Sequence, residues 1–196
     1  MAVATEAPNR AIPLQWPLDD EQFAHLCHLN PALRFEYTST GELLIMTSAG
    51  GWTGHRSIRL AARLQLWAET DETGLAFDSS TIFLLPSGAK RMPDASWMRL
   101  DRWKALTREL QEGIPPCCPD FILELRSPSD RLPDLQGKME EYLNNGARLG
   151  WLIDPIERVV YVYRPGEAVE RLDHPREVPG EPVLAGFVLR LEDIWL

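Results

Sequence analysis

In the stretch DFILELR, from Asp120 to Arg126, every second residue beginning with Phe121 is apolar, and the remaining residues include three charged ones. Side chains along a strand point to opposite faces in turn, so this pattern predicts a short strand with one purely apolar face. The other face carries Asp120, Ile122, Glu124 and Arg126. A carboxylate among so many hydrophobic residues costs free energy to bury unless it is paired or holds a cation. Glu124 therefore indicates either an ion pair with Arg126 or a bound metal ion.

Apolar residues recur at helical spacing in four other stretches. Three of the predicted helices cover about 18–29, 53–69 and 101–110, and the fourth lies between Asp130 and Asn144. Asp19 is the expected N-cap of the first helix. In the second helix the arginines form one narrow stripe and apolar residues occupy nearly every other position, so we expect it to pack on several sides. The stripe consists of Arg56, Arg59 and Arg63. It is either a solvated face or a row of phosphate contacts.

Short β-prone segments fill most of the remaining chain. They are expected at 34–38 and 42–47 as a hairpin, at 75–78, 81–85 and 92–98, at 151–154 and 159–163, and in a C-terminal β appendage closed by 187–191. Proline is tolerated at strand starts and bends, so the Pro93-Asp94 pair places Asp94 at such a point. Strands interleaved with helices predict a mixed α/β sheet with helices on both faces.

Length and composition bound the class of protein. With 196 residues, 44% hydrophobic and 25% charged, the chain predicts a leader over 1–17 and one globular domain over 18–196. It has no apolar run long enough for a membrane span and no signal-peptide layout at its start, so we expect a cytoplasmic protein without a membrane partner. Three cysteines support neither a disulfide framework nor a zinc site. The net charge of −9 means that any contact with nucleic acid must rely on local positive charge.

Short co-ordered segments resemble a known superfamily. Pro93-Asp94 is followed after 29 residues by Glu124-x-Arg126, and matching segments continue from about Phe35 to the C-terminus. The main ones are Phe35-Glu36, Gly41-Glu42-Leu43, Ser80-Thr81, Ser127 to Asp130, Lys138-Met139, Glu141-Tyr142-Leu143, Asn145-Gly146, Leu149 to Pro155 and Tyr163 to Gly166. On these residues the chain resembles the PD-(D/E)XK, or restriction-endonuclease-like, superfamily, and within it a little-characterised bacterial branch of restriction endonuclease homologues.

The resemblance implies both a fold and an activity. The implied fold is a restriction-endonuclease-like αβββαβ core, a mixed sheet flanked by helices, with added N- and C-terminal β-hairpins. The implied activity is that of an endonuclease that hydrolyses phosphodiester bonds of nucleic acid, with DNA expected, by metal-activated water. Asp94 and Glu124 would hold Mg²⁺, or Mn²⁺ in its place, because such hard ions prefer oxygen ligands and lower the pKa of bound water.

The chain departs from the superfamily pattern at Arg126, where a lysine is usual. Arginine keeps its proton and suits phosphate oxygens, but it replaces a water-orienting lysine poorly. Either Arg126 acts through its charge alone, or Lys138, one helix later, supplies the ammonium group. We favour Lys138, because it lies on the flank of an apolar helix face and can direct its ammonium toward the sheet. Glu36 is a further, accessory candidate.

Two more expectations complete the sequence-based hypothesis. A homodimer is expected, because enzymes that cut both strands of a duplex gain from two-fold symmetry. The alternative to an enzyme is a binding or assembly module that kept the fold and lost efficient chemistry. The acidic net charge and the arginine at position 126 favour that alternative.

Overall fold

The computed structural model describes residues 12–46 and 48–196. The helices are α1 (Asp20–Leu29), α2 (Gly51–Asp71), α3 (Leu100–Lys104), α4 (Arg108–Glu112) and α5 (Leu132–Asn144). The strands are β1 (Ile12–Gln15), β2 (Arg34–Tyr37), β3 (Glu42–Met46), β4 (Gly74–Asp78), β5 (Phe83–Leu84), β6 (Lys90–Arg91), β7 (Ala95–Arg99), β8 (Phe121–Leu125), β9 (Leu149–Asp154), β10 (Val159–Tyr163), β11 (Glu170–Asp173), β12 (Glu177–Pro179) and β13 (Val188–Arg190). None of the described helices is long and apolar enough to cross a membrane.

A six-stranded mixed sheet forms the centre, in the order β11-β10-β9-β8-β7-β4. Strands β8 and β9 are parallel and are joined by α5, while the other neighbours are antiparallel. Helix α2 packs on one face through Leu60, Leu64 and Ala68, and α5 packs on the other through Met139 and Tyr142. The chain order α2-β4-β7-β8-α5-β9 confirms the αβββαβ core and the mixed sheet with helices on both faces.

The alternation along β8 has the predicted effect. Phe121, Leu123 and Leu125 belong to the core under α2, whereas Ile122 belongs to the core under α5. All five residues of the strand are buried, because both faces of the sheet are covered. The α5 face is therefore the face on which Glu124 must find its partners.

A second sheet, in the order β1-β3-β2-β6-β5, joins three strands that precede α2 to two short strands from the connection between β4 and β7. Its β2–β3 hairpin was expected, and a C-terminal hairpin of β12 and β13 is present as well. The leader predicted over 1–17 needs correction in part, because Ile12–Gln15 pair antiparallel with β3 and so form an edge strand. Residues 1–11 of that leader lie outside the described residues.

Three other expectations are wrong in detail. The helix predicted over 101–110 is two short helices, because the Thr107 side chain accepts from the amide of Leu110 and starts α4 anew. The strand predicted over 92–98 begins only at Ala95, since Lys90–Arg91 pair in the second sheet. Helix α2 is less covered than expected: the sheet and the C-terminal segment contact it, but Ile58 and Leu66 are each 64% exposed.

Candidate active site

Asp94 and Glu124 come together because of the pairing of β7 with β8. The antiparallel register pairs Ala95 with Leu123, so its continuation by one position sets Asp94 opposite Glu124. Residues opposite each other in an antiparallel pair share a face of the sheet. The backbone N–H of Leu125 donates to Asp94 Oδ2 at 2.7 Å, which holds the Asp94 carboxylate against the end of β8.

Lys138 reaches this point from α5. Its Nζ atom lies 2.8 Å from Glu124 Oε1 and 2.8 Å from Glu36 Oε1. The lysine is buried against the sheet apart from its cleft side, and both glutamates are almost fully buried. One ammonium group therefore bridges a core strand, β8, and a strand of the second sheet, β2.

A second cation completes a buried network around Glu36. Arg91 Nη1 donates to Glu36 Oε2 at 3.1 Å, and Arg91 Nε donates to Glu141 Oε2 at 2.5 Å. The backbone N–H of Met92 donates to Glu36 Oε1 at 2.9 Å. Both oxygens of Glu36 are thus bound, so the carboxylate that contacts Lys138 is fixed in position.

Sequence reasoning missed Arg91, Glu141 and Tyr142 as parts of this site. The Tyr142 hydroxyl donates to Glu124 Oε1 at 3.1 Å. Lys138, Glu141 and Tyr142 share one face of α5, because residues three and four apart are neighbours on a helix. That spacing was the available signal for Glu141 and Tyr142. Arg91 gave no local signal, since only the pairing of β6 with β2 brings it here.

Burial and charge set the protonation tendencies. Burial raises the pKa of Asp94 and of Glu124; the negative charges of Asp94 and Glu36 add to the effect at Glu124, and the Lys138 ammonium opposes it. Burial alone would raise the pKa of Glu36, but Lys138 and Arg91 hold it below its ordinary value. Burial alone would lower the pKa of Lys138, but Glu124 and Glu36 raise it. Lys138 is thus an ammonium group at neutral pH, and the carboxyl groups beside it have pKa values shifted in opposite directions.

Arg126 lies near Glu124 in sequence but has a different partner. Its Nη1 atom donates to Asp154 Oδ2 at 2.6 Å, and Asp154 is fully buried at the end of β9. The other Asp154 oxygen accepts the backbone N–H groups of Ile156 and Glu157. Arg126 therefore ties the ends of the two parallel strands together.

The arginines of α2 lie on the opposite face of the sheet from this cluster. Arg56 donates to the backbone carbonyls of Ile194 and Leu196. Arg59 and Arg63 both contact the carboxylate of Asp193. The three side chains hold the C-terminal segment against α2, and their predicted role as phosphate contacts stays a prediction.

A cleft of about 410 Å³ opens onto the cluster between the β2–β3 hairpin and the start of α5. Its charged lining residues are Glu36, Glu42, Arg91, Asp130, Arg131, Asp134 and Lys138. Glu124 is buried and does not line the cleft, but it contacts Lys138, which does. The cleft is thus the side from which a substrate can approach the cluster.

The donor set suits a hard divalent cation better than a soft one. Asp94 and Glu124 offer only carboxylate oxygens, and the raised pKa of both reflects buried negative charge that a cation would stabilise. No described group of three or more His, Cys, Asp and Glu side chains is arranged to hold a metal. Mg²⁺ commonly keeps several waters and takes only one or two protein carboxylates, so the pair still fits it.

Comparisons with known proteins agree with this architecture. A solved structure from Anabaena variabilis, described as a "putative nuclease belonging to DUF820", matches with 22% sequence identity and a TM-score of 0.75, over 91% of this chain and 98% of that chain. At this identity the likeness shows the fold. Among the curated proteins none matches. The model of the Uma2 family, described as "Putative restriction endonuclease", matches residues 20–192. The chain therefore belongs to the Uma2 family, and the restriction-endonuclease-like resemblance is confirmed.

Proposed function

We propose that this protein is a metal-dependent endonuclease that hydrolyses phosphodiester bonds of nucleic acid, with DNA as the expected substrate. The observation that carries the proposal is the meeting of two carboxylates on neighbouring strands with one lysine ammonium: Asp94, Glu124 and Lys138. The family description and the name of the Anabaena variabilis protein support the nuclease class.

In this proposal Asp94 and Glu124 hold Mg²⁺, or Mn²⁺ in its place. When bound, such an ion lowers the pKa of a coordinated water and stabilises negative charge on a phosphodiester. The two side chains are suited to this task because their positions are fixed by the protein. Asp94 accepts from the amide of Leu125, and Glu124 accepts from Tyr142 and Lys138.

Lys138 would supply the fixed positive charge beside the reacting phosphate. Its raised pKa keeps it protonated at neutral pH, and it lines the cleft that a nucleic-acid strand would enter. A well-placed donor of this kind is worth about 3–4 kcal/mol in the transition state. Glu36, itself held by Arg91, would act as a positioning residue that keeps Lys138 in place.

Lys138 is a better candidate than Arg126 for this role. Arg126 has its short contact with the fully buried Asp154, whereas Lys138 contacts Glu124 directly. Breaking a buried pair is costly, so the Arg126 guanidinium is held away from a role at the phosphate. We therefore propose that the lysine expected two positions after Glu124 is functionally replaced from α5.

Cleavage assays test the proposal. Purified protein is incubated with supercoiled plasmid and with short DNA and RNA, in Mg²⁺ or Mn²⁺, beside Asp94→Asn and Glu124→Gln. We expect both substitutions to reduce cleavage by about 100-fold or more. The matched control is Asp101→Asn, which removes an exposed carboxylate whose partner is Arg99. Cleavage that survives both site substitutions would overturn the proposal.

One observation favours the second candidate, a binding or assembly module without chemistry. Lys138 already neutralises part of the charge on Glu124, so the cluster is stabilised without a metal ion. Isothermal titration with Mg²⁺ separates the two candidates. Heat that is present in wild type and absent in Glu124→Gln supports the nuclease, and no heat in either supports the module.

A further inference from the structure

One face of helix α2 is apolar and open to solvent. Trp52 is 62% exposed, and Ile58 and Leu66 are each 64% exposed, although the opposite face of the same helix is buried in the core. Large side chains exposed together along an element mark an interaction surface more often than singly exposed ones. This face therefore lacks a partner within the described part of the chain.

The exposed residues form a regular ridge. Ile58, Ala62 and Leu66 follow each other at four-residue spacing and lie on one side of the helix. With 21 residues, α2 is about 31 Å long, and Ala62 lies near its middle. A small residue at the centre of a ridge allows a second helix to approach closely, with a larger apolar residue on each side.

The charges of α2 run against its own dipole. The first turn contains no acidic residue and the last turn contains no basic one. Instead, three arginines lie in the first two thirds of the helix: Arg59 and Arg63 share the carboxylate of Asp193, and Arg56 donates to backbone carbonyls. Glu69, Asp71 and Glu72 cluster at the C-terminal end, where negative charge is unfavourable. Within residues 12–46 and 48–196, none of these three carboxylates forms an ion pair.

We infer that the partner of this face is a second copy of the same chain, packed antiparallel along α2 with the two-fold axis beside Ala62. Ile58 lies four residues before Ala62 and Leu66 lies four residues after it, so Ile58 of one copy would contact Leu66 of the other. His55 and Glu69 each lie seven residues from it and would also meet. In an isologous contact of this kind, every such pair occurs twice.

This arrangement resolves the charge pattern that a single copy leaves unbalanced. The acidic C-terminal end of one α2 would lie beside the arginine-bearing, dipole-positive N-terminal end of the other. A different protein would need acidic residues opposite the N-terminal end of α2 and positive charge opposite its C-terminal end, which a second copy of α2 supplies through its own sequence. Val188, which is 45% exposed beside Leu66 in a groove with Phe187, extends the apolar surface beyond the helix.

The contact would leave the candidate active site free. Helix α2 packs on the face of the sheet opposite α5, and Lys138 enters the cleft from α5. The inference therefore does not depend on the proposed nuclease function. Its failure and the failure of that function are separately observable.

Sedimentation equilibrium of the full chain tests the inference. We expect a wild-type dimer, and we expect Leu66→Glu to weaken dimerisation by at least about 100-fold, because it would bury two carboxylates in the contact. The matched control is Leu29→Glu at the end of α1, where the leucine is 63% exposed, and it should remain dimeric. Circular dichroism confirms that each variant is folded. A monomeric wild type, or an unchanged dimer in Leu66→Glu, would overturn the inference.

Cysteine cross-linking tests the position of the axis. In Ala62→Cys the two introduced thiols would face each other across the axis, and mild oxidation should give a covalent dimer on a non-reducing gel. Wild type reports on the native cysteines, and Ala105→Cys is the control at an exposed alanine elsewhere. Equal cross-linking in both variants, or none in Ala62→Cys, would contradict the proposed axis.

A charge exchange tests the antiparallel direction. His55→Glu should weaken the dimer, because the new carboxylate would face Glu69 of the other copy. Glu69→Lys should also weaken it, because the new ammonium would lie beside the arginine-bearing, dipole-positive end of the other helix. The double variant reverses both partners and should recover dimerisation. If the loss of dimerisation free energy in the double variant equals the sum of the losses in the single variants, the two residues do not meet and the antiparallel direction is wrong.

Discussion

The two faces of the central sheet both carry clustered cations, and the clusters have different surroundings. On the α5 face, Lys138 and Arg91 are buried and each contacts two carboxylates. On the α2 face, Arg59 and Arg63 are partly exposed and share Asp193. The sequence predicted Lys138 as a catalytic cation and the α2 arginines as phosphate contacts, whereas Arg91 was not predicted. The difference lies in burial and in the cleft, which opens on the α5 face.

Burial changes what a cation contributes. Removing one partner of a buried ion pair costs about 3–5 kcal/mol, because the other charge is left without compensation. An exposed pair contributes about 0–1 kcal/mol, since water and salt screen it. The α5 cluster therefore holds buried charges in fixed positions with shifted pKa values, and such clusters are typical of functional sites. The α2 cluster mainly holds the C-terminal segment.

The largest expected effect is that of Lys138→Met. The substitution leaves the carboxylates of Glu36 and Glu124 without their shared ammonium, so we expect the free energy of unfolding to fall by about 3–5 kcal/mol. Urea denaturation measures it, with Lys104→Met as the control at an exposed lysine. Adding Glu36→Gln to Lys138→Met should recover part of the loss. A loss below about 1 kcal/mol would mean that the buried α5 cluster contributes no more to stability than an exposed ion pair does.

A smaller effect is expected from metal addition. Mg²⁺ that binds only the folded protein should raise its stability by about 2.7 kcal/mol when its concentration is 100 times the Kd. Thermal unfolding with increasing MgCl₂ measures the shift, with NaCl matched for ionic strength. The shift should be absent in Glu124→Gln and retained in Arg63→Gln. A shift retained in Glu124→Gln would mean that the metal binds elsewhere.

The smallest expected effect is that of Arg63→Gln. Its ion pair with Asp193 is partly exposed, so we expect a loss of no more than about 1 kcal/mol in urea denaturation. The same variant decides the open question of phosphate contact. If Arg63 contacts a phosphate, the salt dependence of DNA binding should lose a slope of about one. An unchanged slope would assign the arginine to the C-terminal segment alone.

Much of the fold followed from local patterns. The alternation along β8 was sufficient to predict its strand and its apolar face, and Asp19 was sufficient to predict the start of α1, where it forms a capping box with Gln22. The helix over 101–110 failed because Thr107 competes as a cap inside an otherwise helical pattern. The packing of α2 failed because apolar periodicity identifies a helix face without showing what covers it.

The sequence by itself determined that Glu124 would be an acid in an apolar strand and that a cation would have to lie near it. It also supplied Asp94 and Lys138 as candidates through their place in a family resemblance. Only the tertiary structure decided which cation contacts Glu124: Arg126, two residues away in sequence, pairs with Asp154, whereas the packing of α5 on the sheet brings Lys138 to Glu124. Arg91 and Glu36 come from strands paired over long separations in the chain, and no local pattern encodes such pairing.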